Sequence, residues 1–293
     1  MTIEFRYEKL RWKEIDEAAQ NNRVVLIPIA CVEDHGPHLP LDVDIAIVTD
    51  IAHRAARLIP DRILVFPTQH NGYDPHHMDF PGTITIKWNT LVEYMLDIIR
   101  SLAHHGFRRF IVLNSHGSNT PLVELIARLT MIEFPHVLAT GFSWWQIPKV
   151  REEIPKFRES EFPGGMSHAC ELETSAYLAI DPEGVDMSKA VKDIQYPKSR
   201  FFNHDLAAGG AGPSLGMMEW WSTLSETGVM GDATKATKEK GEQVLRAAAE
   251  GLRDVICELA ARQVRRRIDH HTPVPKTFAP NTWEANGGTG TKS

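Results

Sequence analysis

Val24-Val25-Leu26-Ile27-Pro28-Ile29-Ala30-Cys31 is apolar throughout and rich in β-branched residues, with Asn21, Asn22 and Arg23 before it and an acidic run after it. A run without polar alternation reads as a strand buried on both faces, the habit of parallel sheets covered by helices. The flanking segments agree. Asp44 to Ile59 puts Ile45, Val48, Ile51, Ala52, Ala55 and Leu58 on one side of a helix, and Ile63 to Pro67 is a second short strand. Thr83 to Lys87 alternates like a half-exposed strand, and Asn89 to His105 is a helix with Asn89 as its N-cap. Arg109 to Asn114 reads as another buried strand, Thr120 to Ile132 as a helix, Val137 to Phe142 as a strand and Thr234 to about Arg265 as a long helix. This alternation predicts an α/β fold, three-layer α/β/α with a mostly parallel central sheet, in which ligands gather beyond the carboxyl ends of the strands.

Residues 1–265 are expected to form a single domain and 266–293 an extended C-terminal tail with several Pro and Gly. Ser143 to Pro163 and Asp181 to Gly228 read as long surface excursions that shape a site or a subunit contact. The chain of 293 residues is 42% hydrophobic and 24% charged, an ordinary globular composition. Lys and Arg number 32 against 38 Asp and Glu, a net charge of −6 that argues against a dedicated nucleic-acid binder. Cys31, Cys170 and Cys257 are odd in number and widely spaced, which excludes a disulfide framework and a thiolate zinc finger and fits a reducing cytoplasm. Met1 to Gln20 lacks the apolar core of a signal peptide. The longest apolar stretch, Val24 to Val32, falls far short of the roughly 20 residues that span a bilayer.

Histidine, 14 in all, stands out. Directly after the first strand, Glu33, Asp34, His35, His38, Asp42 and Asp44 fall on a loop that Gly36, Pro37 and Pro40 keep from being helical. Carboxylates and imidazoles packed this densely are costly to bury unless a cation compensates them, so the cluster points to a metal; a solvated acidic loop is the plainer alternative. Asn114-Ser-His116-Gly117-Ser118-Asn119 follows a second buried strand and brings His116 to the same sheet edge, unless that His merely caps the next helix. His168-Ala-Cys170-Glu171-Leu-Glu173-Thr-Ser175 follows Gly164-Gly165. If His168 and Glu171 share a first helical turn they lie on one face, and Glu173 points elsewhere, toward backbone or a neighbouring subunit. Cys170 is a nucleophile candidate without a local base, so a buried structural thiol is the better reading.

These blocks resemble the creatininase family of metal hydrolases. The likeness is carried by E-D-H-G-P-H-L-P-L-D-V-D at 33–44, F-P-G-T at 80–83, N-S-H-G-S-N at 114–119, H-A-C-E-L-E-T-S at 168–175 and G-V-M-G-D-A-T-K-A-T-K-E-K-G at 228–241, in that order. The resemblance implies two divalent ions per subunit, zinc first with manganese or Fe(II) at a more exchangeable position. It gives Glu33, His35, Asp44 and His116 as ligands, with Asp44 bridging. True creatininases place a further Glu two residues after the His of the N-x-H block. Here that position is Ser118, so the resemblance to H-A-G-E-x-E-T-S members assigns the fifth ligand to Glu171. Ligand softness then divides the set into a tighter His35, His116 and Asp44 site and an exchangeable Glu33, Glu171 and Asp44 site.

The implied reaction is hydrolysis of a C–N amide bond in a cyclic amide, formamide or similar small substrate by a metal-bridged hydroxide, with His168 passing the proton to the departing nitrogen and Glu171 beside it. His76, His77, Asp79, Trp144, Trp145, Gly117 and Cys170 are expected around the substrate pocket. The alternatives are creatinine amidohydrolase proper, a peptide-cleaving maturation enzyme, a dinuclear phosphoesterase and a non-catalytic scaffold. A cytoplasmic homo-oligomer, a hexamer in much of the family, is implied too, with the Phe201 to Trp221 segment as candidate interface and neither nucleic acid nor membrane as partner.

Overall fold

The computed structural model describes residues 3–197, 202, 204–206, 217–265 and 268–273. Its centre is a four-stranded parallel sheet of β1 (Val24–Ile29), β2 (Ile63–Val65), β3 (Arg109–Asn114) and β4 (Leu138–Ser143), ordered β2-β1-β3-β4. Every residue of β1 is buried, as its unbroken apolar run predicts. Alternate side chains divide between two cores: Val24, Leu26, Ile111 and Leu113 join one, and Val25, Ile27, Phe110 and Val112 the other.

Helices cover both faces. On the first lie α2 (Val43–Leu58), α5 (Pro148–Phe157), α6 (Glu171–Ile180) and α7 (Lys238–Ala261); on the second lie α1 (Trp12–Gln20), α3 (Trp88–His104) and α4 (Thr120–Glu133). α2 turns Val43, Ile47, Val48, Ile51, Ala52 and Ala55 inward at the spacing of a helical face. α7 starts on a Thr237 cap, whose side chain accepts from the backbone N–H of Lys240. α6 and α7 approach so closely that a Cβ at Gly241 would stand 1.8 Å from the Ser175 carbonyl oxygen. The fold is thus the expected α/β arrangement with a parallel central sheet. Among the described residues no helix is long and apolar enough to cross a membrane.

Three segments depart from the sequence reading. Thr83 to Lys87 forms no ladder: Ile84 makes an isolated bridge to Val32 and Thr85 another to Gly72. Ser143 to Pro163 contains α5, whose Val150, Ile154 and Phe157 enter the core although Pro155 lies inside it. The excursion after Asp181 contributes to a small antiparallel sheet, ordered β5-β7-β6, from β5 (Met166–His168), β6 (Lys192–Asp193) and β7 (Met230–Asp232). Of the expected tail, residues 266–267 and 274–293 lie outside the described residues, as does most of 201–216 in the expected interface.

Candidate metal centre

The register of the parallel sheet brings the first two sequence clusters together. Ile29 pairs with Asn114, and the Ser115 N–H donates to the Ile29 carbonyl at 3.0 Å, so the chain leaves both central strands at one edge. After β1 the loop closes on itself through Glu33 N–H to the Leu41 carbonyl at 3.1 Å. Asp34 N–H is held by the Thr83 hydroxyl at 3.1 Å, which gives the F-P-G-T block its local task. After β3, Asn114 grips the turn from both sides: its Oδ1 accepts from His116 N–H at 3.0 Å and its Nδ2 donates to the His116 carbonyl at 2.5 Å.

Glu33, His35, Asp44 and His116 converge, all almost fully buried. Glu33 Oε2 lies 2.6 Å from His116 Nδ1, Asp44 Oδ2 lies 3.5 Å from the same nitrogen, and Asp44 Oδ1 lies 3.8 Å from His35 Nε2. His168 ends β5 and joins them, with Nδ1 3.5 Å from Glu33 Oε1. Ligand atoms of Glu33, His35 and Asp44 fall within 4.8 Å of one another, and so do those of His35, His168 and Glu173. The contacts put His116 with Glu33 and Asp44, whereas the softness argument grouped it with His35.

Glu171 is not among them. Its buried carboxylate accepts backbone N–H groups of Glu159 at 3.0 Å and Ser160 at 2.8 Å, and its Oε1 lies 2.6 Å from Lys240 Nζ. The resemblance to H-A-G-E-x-E-T-S members assigned Glu171, and the reading that put it on one face with His168 needed a helical turn that the structure does not form there. His168 instead belongs to a strand, Ala169 turns the chain with a left-handed φ of +49°, Cys170 is the extended N-cap, and α6 begins only at Glu171. In that frame Glu173, in the first turn of α6, faces His35 and His168.

The pocket residues divide as well. His77 sits inside the cluster, with Nδ1 2.8 Å from Asp34 Oδ1 and Nε2 3.0 Å from Glu33 Oε1. Gly117 borders open space, with no atom within 4 Å of where a Cβ would stand. Trp144 and Trp145 lie in the apolar core, and the ring that touches the imidazoles is Trp221. Trp221 stacks on His77 at 4.5 Å between centroids and meets His168 edge-on at 5.3 Å. Composition alone could not separate Trp221 from its neighbour Trp220, which is exposed. Cys170 is fully buried with Sγ 3.9 Å from Glu173 Oε2, and burial pushes its thiol well above the ordinary range, which fits a structural thiol. Asp79 accepts from the Ser222 hydroxyl at 2.5 Å, and the Ser118 hydroxyl lies 3.3 Å from the His76 ring.

Burial dominates the electrostatics. It raises Glu33 well above the carboxylate range despite the opposing pull of His116, and lifts Asp34 to about 7, Asp74 to about 6 and Glu173 to about 8. It holds His35, His77 and His168 below the ordinary histidine value, and His76 at about 3. His116 goes the other way: burial disfavours its charge, but Glu33 and Asp74 outweigh burial and raise it. Two atoms inside the cluster, His35 Nε2 and Asp44 Oδ2, are buried without a hydrogen-bond partner. Orphaned acceptors among buried carboxylates are the condition that a cation relieves.

A three-layer α/β scaffold with a buried histidine–carboxylate centre at the ends of its central strands is a class of architecture suited to hydrolytic enzymes. The family model for creatininase, described as creatinine amidohydrolase, matches residues 8–256, and the chain belongs to the creatininase family, whose members are hydrolases. Creatinine amidohydrolase of Pseudomonas putida is 29% identical over 262 residues, 85% of this chain and 95% of the relative. A 3-dehydro-scyllo-inosose hydrolase of Thermotoga maritima is 27% identical across 87% of this chain and 84% of its own length. A mycofactocin precursor peptide peptidase of Mycolicibacterium smegmatis is 28% identical across 80% and 84%. Among solved structures, a creatininase variant of Zn–Zn type superposes with a TM-score of 0.74 at 27% identity, covering 89% of this chain and all of that one. A manganese creatininase gives 0.72 at 27%, covering 88% and 99%.

Proposed function

We propose that this chain is a dinuclear metal-dependent hydrolase that cleaves a C–N amide bond of a small substrate. The observation that carries the reading is the convergence of Glu33, His35, Asp44, His116 and Glu173, with His35 Nε2 and Asp44 Oδ2 buried and unpartnered. Three carboxylates and two imidazoles suit zinc or manganese and, with one hydroxide, balance two divalent ions. Glu33 and His116 would help hold one ion and His35 and Glu173 the other, with Asp44 lying between the two sets. Ions there would supply a water acidified to near neutrality and Lewis-acid polarisation of the scissile carbonyl.

The remaining chemistry falls to the chain. His168 Nε2 lies 2.7 Å from the Asp34 carbonyl oxygen, which can only accept, so the ring proton resides on Nε2 and Nδ1 is left as the base facing Glu33. Burial disfavours the charged form of that ring, so a proton taken there is held only in passing and handed on. Water adds across the bond: its hydroxyl goes to the acyl carbon, and its proton passes through His168 Nδ1 to the departing nitrogen. Trp221 walls the imidazoles from solvent, and His77 bridges Asp34 and Glu33 so that the loop after β1 cannot rotate away.

The relatives are named for creatinine, an inosose and a precursor peptide, so a panel of substrates is the direct test. Elemental analysis of the purified full-length chain followed by assays on creatinine, lactams, cyclic imides, formamides, a short peptide and phosphate esters tests the reading. Two ions per chain and turnover confined to amides are expected. Absence of metal, or turnover of phosphate esters alone, overturns it.

A further inference from the structure

We propose that Asp74 is a positioning residue for His116, holding that imidazole with its proton on Nε2 and its Nδ1 lone pair toward Glu33 and Asp44; this rests on the dinuclear reading above. His116 is gripped at both ring nitrogens. Nδ1 faces Glu33 at 2.6 Å and Asp44 at 3.5 Å, while Nε2 faces the Tyr73 carbonyl at 3.2 Å and Asp74 Oδ1 at 3.6 Å. A ring that binds an ion through Nδ1 has a single N–H left, at Nε2, and a carboxylate or carbonyl beyond it fixes both tautomer and ring plane.

The setting of Asp74 fits this role. Its side chain is fully buried; Oδ1 makes no hydrogen bond but faces His76 Nδ1 at 3.3 Å and His116 Nε2 at 3.6 Å, and Oδ2 has the weak Cys31 thiol at 3.9 Å. Such a carboxylate is poorly compensated unless a positive group stands next to it, and an ion-bound His116 provides one. The backbone around it is fixed in place. Asp74 N–H donates to the Thr85 hydroxyl at 2.8 Å, Tyr73 N–H to Asn119 Oδ1 at 2.9 Å, and Asn119 Nδ2 to the Ala30 carbonyl at 3.2 Å. The second Asn of the N-S-H-G-S-N block therefore ties the segment behind His116 to the end of β1. The isolated bridge between Gly72 and Thr85 adds a second tie.

The test is a titration of Zn2+ into the metal-stripped full-length chain against a competing chromogenic chelator, which resolves two binding events. In Asp74→Asn, which keeps the shape and removes the charge, one event is expected to weaken by about 10–100-fold while the other is unchanged. Two unchanged affinities overturn the proposal. If Asp74→Asn does not fold, Thr85→Ala, which releases the Asp74 backbone, decides by the same criterion: selective weakening of one ion supports the role, and unchanged binding overturns it. A parent chain that binds fewer than two ions refutes the dinuclear reading instead, so the two failures are distinct.

Discussion

His168 reaches the backbone of Asp34 across 134 residues of sequence, its Nε2 2.7 Å from the carbonyl oxygen. That contact joins the loop after the first strand of the parallel sheet to a strand of the small antiparallel one, and it leaves Nδ1 as the basic nitrogen. His168→Ala should keep both metal equivalents and lose turnover by about 10²–10⁴-fold. Elemental analysis beside steady-state kinetics checks it, and intact turnover would remove His168 from the reaction.

Glu173→Gln should lose one of two metal equivalents, whereas Glu171→Gln should keep both. The contrast is sharp because the two carboxylates are two residues apart and equally acidic in sequence, and only their surroundings differ. A folded Glu171→Gln chain lacking one ion would return Glu171 to the ligand set.

Lys240 is almost buried, with its Nζ on Glu171 at 2.6 Å, Glu159 at 2.7 Å and the Lys235 carbonyl at 2.7 Å. Lys240→Met leaves the Glu171 carboxylate without its cation and should cost about 3 kcal/mol, as breaking one partner of a buried pair does. Urea unfolding measures the loss, and the metal content of the folded fraction should be unchanged.

Ala169→Gly should change stability by less than about 1 kcal/mol, since relief of the +49° φ is offset by loss of a fully buried methyl and by the more flexible unfolded glycine. Denaturant midpoints test this, and a loss of more than about 2 kcal/mol, beyond what the methyl and the glycine entropy account for, would show that the turn is unstrained.

The metal-free chain should lose stability as pH rises from about 6.5 to 8. Glu173, raised to about 8, and Glu33 and His116, both raised well above their ordinary values, hold more protons folded than unfolded, so alkali favours unfolding. Below it, the lowered His35, His77 and His168 work in the opposite sense: unfolded they take up protons that they refuse when folded, so acid favours unfolding. Melting temperatures in chelator across that range check the sign, and added Zn2+ should reverse the alkaline loss because the ions replace the protons.

The parallel sheet was legible because Val24 to Ile29 and Phe110 to Leu113 are apolar without interruption, and the positions of Glu33, His35, Asp44 and His116 followed from where those strands end. What was not legible depended on a backbone turn or on distant packing. No helical spacing rule could foresee that Ala169 would turn the chain with a left-handed φ, and the resemblance that pointed to Glu171 carried no information on that turn, which brings Glu173 to His35 and His168. Asp74 and Trp221 stand in irregular segments, where no periodicity marks which side chain turns inward. α5 was hidden by its charges and by Pro155, though Val150, Ile154 and Phe157 still bury one face.

The two-sheet origin of the centre bears on biosynthesis. Glu33, His35, Asp44 and His116 all come from the chain up to the turn just after β3, whereas His168 and Glu173 arrive with β5 and α6. If these are the donors we propose, a chain emerging N-terminus first displays four of them well before His168 and Glu173 have left the ribosome. On the proposed assignment, hydrolysis waits until the small antiparallel sheet has docked, and a truncated or stalled product would be a weak metal binder without turnover.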